Sequence, residues 1–175
     1  MTDWKEEKRW SDRFLPEIKR LVGGYLLKEP PVEEDCLRNT DLRVLAMSTQ
    51  RIGCRVRRPW YYDRFSGEFT IRCHSKTGVD TEIHKIIEGW GDYIFYGFSD
   101  PTETFLRSWF LGSLHRFRRW HVYRMHEDAG KVPGRLQFNN DGTAFRAYRL
   151  EDLPQDFVIM SSNASENENT VLANR

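Results

Sequence analysis

Three short stretches in the first half of the chain, residues 41–47 (DLRVLAM), 52–58 (IGCRVRR) and 68–74 (EFTIRCH), alternate apolar and polar side chains in phase. Side chains two apart share one face of a strand, so this period of two predicts a half-buried strand at each. One face collects Leu42, Val44, Ala46, Ile52, Cys54, Val56, Phe69, Ile71 and Cys73. The other collects Asp41, Arg43, Arg55, Arg57, Glu68, Thr70, Arg72 and His74. The expected sheet buries one side and lines the other with two carboxylates among arginines. Such a side suits a catalytic or phosphate-binding surface, and it suits a solvated one equally well.

Helical spacing flanks these strands. Phe14, Ile18, Leu21, Val22, Tyr25 and Leu26 predict a first helix, capped by Ser11 or Asp12, with Pro16 in its first turn and Pro30 and Pro31 beyond its end. The charged arm before it carries Trp4 and Trp10, which predicts that the arm packs. After His74, Gly78 marks a turn, Asp80 a cap and Val79 a staple. Ile83, Ile86, Ile87 and Trp90 then predict a second helix, and YIFYGF (93–98) a buried strand.

Further on, RSWFLGSL (107–114) reads as a strand and HRFRRWHVYRMHED (115–128) as a basic, aromatic helix. RLQFNN and AFRAYRL, joined by DGT, read as a hairpin, and VIMSS as a last strand. The expected fold is a single mixed α/β domain over residues 1–162 with an αβββαβ core. Its first three strands would be antiparallel, the fourth parallel to one of them, and a β-rich extension would follow. Residues 163–175 are polar and expected to be disordered.

Lys and Arg number 27 against 26 Asp and Glu, so no global field draws the chain to a polyanion and a nucleic-acid site has to be a local patch. Cys36, Cys54 and Cys73 are odd in number and lack C-x-x-C spacing, which predicts buried free thiols in a reducing, cytoplasmic setting. The charged start TDWKEEKRWSDR and the lack of a long apolar run predict a soluble, unsecreted protein without a membrane span. Phosphate-loop, dinucleotide-loop and nucleophile-elbow motifs are absent, and the five histidines lack zinc spacing.

Asp41 opening the first strand, with charged residues on the next two and a helix before and after, resembles the core of the PD-(D/E)XK nuclease superfamily. The chain is also similar, over about residues 10–162, to phage and prophage proteins of uncharacterised function that share TDL, RVRR, EFTIR and GWGDYIFYG wording. The nuclease resemblance implies magnesium held by Asp41 and Glu68, with basic help from Arg55, Arg57 or Arg72; Arg55 and Arg57 stand where the superfamily keeps an acid and a lysine. Glu17 or Glu34 would supply a helix acid. Arginine is a poor base, since its pKa stays above ~12. Strands paired in sequence order would leave Asp41 and Glu68 roughly 10 Å apart, further than one ion spans directly.

The arginines admit another chemistry. Arg43, Arg55, Arg57 and Arg72 suit phosphates, and the adjoining PWYYDRF loop offers Tyr61 and Tyr62 beside Arg58 and Arg64 as a surface for unpaired bases. The basic helix is expected to turn Leu114, Phe117, Trp120 or His121, and Tyr123 or Arg124 inward, leaving Arg116, Arg118 and Arg119 outside for phosphate or a protein partner. Two readings follow. One is a magnesium-dependent nuclease with a degenerate site. The other is a catalytically inactive protein contacting DNA, RNA or a host protein, for example as an inhibitor of a host defence system.

Overall fold

The structure, a computed structural model, describes residues 4–28, 43–44, 50–78 and 80–162. Asp41, Leu42, Ala46, Cys36, Glu34, Val79 and the 163–175 tail lie outside the described residues. The chain divides into two compact units, residues 1–50 and 51–175. Among the described residues no helix is long and apolar enough to cross a membrane.

The first unit holds helices α1 (Trp4–Asp12) and α2 (Leu15–Leu26), followed by strands β1 (Leu27–Lys28) and β2 (Arg43–Val44), which pair antiparallel. Trp10, Phe14, Ile18 and Val22 are buried, each four residues from the last, so the two helices share one continuous apolar stripe. Trp10 and Phe14 meet edge to face at 5.3 Å. The packed arm expected around Trp10 is therefore present, as a helix.

The larger unit is built on β5 (Tyr93–Ser99), whose residues from Ile94 onward are all buried. A strand apolar on both faces belongs in the middle of a sheet. It lies parallel to β3 (Ile52–Arg57) and antiparallel to β6 (Leu106–Ser113), which in turn pairs antiparallel with β9 (Val158–Ser161). A second, three-stranded sheet runs β4 (Glu68–His74), β8 (Ala144–Arg149), β7 (Arg135–Phe138), antiparallel throughout. Helices α3 (Tyr62–Phe65), α4 (Glu82–Ile87) and α5 (Leu114–Glu127) complete it, with short 3-10 turns at Pro59–Tyr61 and Leu150–Asp152.

The core joins both sheets to α4 and α5. Phe69 of β4 is its hub, with the rings of Tyr96, Phe110, Phe117, Tyr148 and Phe157 centred 5.4–6.1 Å away. Phe157, just before β9, lies over Gly112, where a Cβ would come within 2.5 Å of its ring. Only glycine leaves that socket open.

The mixed α/β class holds, as does a fourth strand parallel to an earlier one. The antiparallel trio does not. β3 and β4 belong to different sheets, and the described part of the 41–47 stretch, Arg43–Val44, pairs with Leu27–Lys28 instead. Alternation fixes which side chains share a face; it is silent on the partner strand, and β4 takes its partner from the C-terminal hairpin.

The single apolar face also divides. Cys54 and Val56 align with Phe95 and Gly97, on the side of β5 opposite Ile94, Tyr96 and Phe98, while Phe69 and Ile71 join those last three in the core. Cys54 is exposed and Cys73 is half-buried at the edge of the core, so neither of these free thiols is fully buried. Helix α4 starts from Thr81 rather than Asp80, because Thr81 has the extended backbone of a cap position.

Candidate nucleic-acid interface

Pro59 begins a 3-10 turn that runs directly into α3, so the PWYYDRF segment is two short helical turns. This folding spreads its rings on the surface beside the cations. Arg57 stands over Tyr61 at 4.1 Å, Arg58 over Trp60 at 5.8 Å and Arg64 over Phe65 at 5.4 Å. Arg107, from β6, lies over Tyr62 at 3.8 Å and reaches Asp63 at 3.4 Å. Trp60 is 63% exposed. Tyr62 anchors the segment against Phe98, edge to face at 5.6 Å.

A neighbouring loop locks this surface. Between β5 and β6, the Asp100 carboxylate accepts the hydroxyl of Thr102 and the backbone N–H groups of Thr102, Thr104 and Phe105. Those donors, the Thr102 hydroxyl foremost, hold its carboxyl well below the usual carboxylate range. The loop carries Glu103 at φ 55°, a left-handed conformation costly for a side chain other than glycine. Glu103 is held there by Arg58, whose Nη1 donates to both carboxylate oxygens at 3.0 and 3.1 Å. Phe105, 64% exposed, stands on the same loop.

Arg58, Arg64, Tyr61 and Tyr62 of the expected nucleic-acid set are thus brought together, joined by Arg57. Arg107, Phe105 and Glu103 were not anticipated. The turn-forming DPTET run was the available signal for their loop, but its pairing with Arg58, 45 residues away, leaves no trace in local pattern.

The remaining candidates are dispersed. Arg55 points toward the core side of its sheet, where its guanidinium donates to the Thr70 carbonyl at 2.8 Å and to Glu82 at 2.9 Å. Glu82 also accepts the Arg72 N–H at 3.1 Å, so Arg55 ties β3, β4 and α4 together and is not a surface cation. Glu68 pairs with Arg135 at 2.9 Å in the second sheet. Arg72 is exposed on β4, and Arg43 lies in the smaller unit on β2. Glu17 is on α2, also in that unit.

Among the described residues no three His, Cys, Asp or Glu side chains gather as a metal site. Glu68 is occupied by Arg135, and its expected partner Asp41 lies outside the described residues. On α5, Arg116 pairs with Asp156 at 2.9 Å and Arg119 is exposed. Arg118 is turned in, contrary to expectation. It donates to the carbonyls of Ile86 and Gly91 at 3.3 and 3.1 Å, satisfying groups at the end of α4 that would otherwise be orphaned.

No protein-family model matches the chain, and neither a curated protein nor a solved structure is significantly similar to it.

Proposed function

We propose that the protein binds single-stranded nucleic acid through the surface formed by Arg57–Phe65 and the Asp100–Arg107 loop, without cleaving it. The observation that carries this reading is the exposed indole of Trp60 set among four arginines, Arg57, Arg58, Arg64 and Arg107, each lying over an aromatic ring. Among the described residues Asp63 pairs with Arg107 and Glu103 with Arg58, while Arg57 and Arg64 have no carboxylate within ion-pair distance, so positive charge is left for phosphates. An exposed indole offers a base a stacking face, and guanidinium groups held over rings keep N–H donors for phosphate oxygens. Duplex DNA keeps its bases stacked inside and does not use such a surface.

Fluorescence anisotropy with labelled single-stranded DNA, single-stranded RNA and duplex of equal length tests this. Single strands are expected to bind more tightly than duplex. Log affinity should fall with log salt at a slope near −2, as for roughly three neutralised phosphates on a single strand. Trp60→Ala should lower affinity about tenfold or more, the worth of one stacked base. Wild type that binds no single strand at physiological salt, or binds as well after Trp60→Ala, overturns the reading.

A further inference from the structure

A second cleft in the larger unit is independent of the aromatic surface. It has a volume of about 510 Å³, within the range of small-molecule sites, and lies between the C-terminal half of α5, the segment 131–135 and the ends of β4 and β8. Its walls combine two aromatic side chains, Trp120 and Tyr148, with the apolar Val132, Pro133 and Ala147.

Charge on the rim is unequally satisfied. Arg124 pairs with Asp128 at 3.3 Å and Arg135 with Glu68 at 2.9 Å, and Arg149 pairs with Glu151. Lys131 has no carboxylate within ion-pair distance among the described residues. Asp152, also on the rim, is likewise unpaired there. Cations outnumber acids on the cleft wall, four to three.

The floor carries a second anomaly. Tyr148 is 2% exposed and its hydroxyl has no hydrogen-bond partner. His121, also 2% exposed, leaves both ring nitrogens unpaired, and its ring lies 6.2 Å from that of Tyr148. Buried polar atoms without partners are rare and costly, about 1–3 kcal/mol each. The roof is held down by Arg146, which donates to the carbonyls of Val132, Pro133 and Gly134 at 3.0, 3.4 and 2.8 Å. Gly134, at φ 85°, comes so close that a Cβ there would stand 2.7 Å from the Tyr148 ring.

We infer that this cleft binds a nucleotide-sized compound, a phosphate joined to a flat ring, with Lys131 and Arg135 at the phosphate and Trp120 against the ring. A phosphate fits the unpaired ammonium and the guanidinium fork. A flat ring fits the indole and the apolar wall. Amino or hydroxyl donors on the ligand suit Asp152. The same chemistry is offered by a free mononucleotide and by the phosphorylated end of a strand.

Isothermal titration of the full chain with adenosine and uridine 5′-monophosphates, the parent nucleosides and inorganic phosphate tests the inference. A monophosphate should bind at least tenfold more tightly than its nucleoside or phosphate alone. Lys131→Ala, at an exposed position, should lower that affinity about five- to tenfold. Competition by a 5′-phosphorylated oligonucleotide, but not its unphosphorylated twin, identifies the strand end as the source; no competition identifies the free nucleotide. Trp60→Ala should leave the monophosphate affinity unchanged, which separates this site from the single-strand surface. Failure of both monophosphates to bind at millimolar concentration, or undiminished binding by Lys131→Ala, overturns the inference.

Discussion

Two aromatic clusters of similar composition sit in the larger unit and are used in opposite ways. Around Phe69 the rings are buried and touch one another, with Phe69, Phe117 and Phe157 fully inaccessible. In the segment around Trp60 the rings are partly or largely exposed and touch arginines. The inner cluster removes apolar area from water and supplies stability. The outer one leaves that area in water, a cost retained where a surface has to meet something. Aromatic content alone therefore does not mark either core or site; what distinguishes the two is the residue packed against each ring.

Substitutions that spare one cluster and strike the other sharpen this contrast. Phe69→Ala should cost about 3–5 kcal/mol in denaturant unfolding, since it empties the hub of the core. A loss under about 1 kcal/mol would mean that the inner rings do not act as one packed unit. His121 gives the next largest effect. Burial, with Arg146 adding to it, holds its pKa down to about 4 against an ordinary 6.5. Between those values the unfolded chain binds a proton that the folded one refuses. Stability is then complete above pH 6.5 and falls as pH drops toward 4, by on the order of 3 kcal/mol. Urea unfolding across that range should show the fall, and His121→Leu should flatten it.

Smaller effects follow. Tyr148→Phe deletes a buried hydroxyl with no partner and should raise stability by about 1 kcal/mol; a loss of that size would show that the hydroxyl is already bonded. Trp60→Ala should change the unfolding free energy by less than about 0.5 kcal/mol, because so little of the indole is buried. A larger loss would move Trp60 from the outer class to the inner one.

The sequence disclosed what repeats locally. The periods of β5, β6 and α5 and the DGT turn of the β7–β8 hairpin were legible because each depends on side chains a few residues apart. The partner of each strand was not. β4 pairs with a strand whose nearest residue is 70 positions on, Ala144 opposite His74, and nothing in EFTIRCH names it. Arg55 shows a second limit. A period of two placed it opposite Val56, but its guanidinium lies against Thr70 and Glu82, so the charged side of β3 turns inward there.

The candidate interface was half legible. PWYYDRF declared its own aromatics and arginines, whereas Arg107 and Glu103 reached it through the register of β5 on β6. The cleft was not legible at all. Its walls come from α5, the 131–135 segment and the ends of β4 and β8, a relation among separate elements that has no sequence signature.

The seat of Phe157 over Gly112 has a consequence for synthesis on the ribosome. β6 emerges with one edge already served by β5, but its other edge waits for β9, and the socket over Gly112 stays empty until the same late segment arrives. At roughly 5–20 residues per second that interval lasts on the order of several seconds, during which an unsatisfied strand edge is open to neighbouring nascent chains. A chain stopped at Asp156 should therefore sediment as aggregate where the full chain stays dispersed. Equal dispersion of the two would show that the larger unit closes without its last strand.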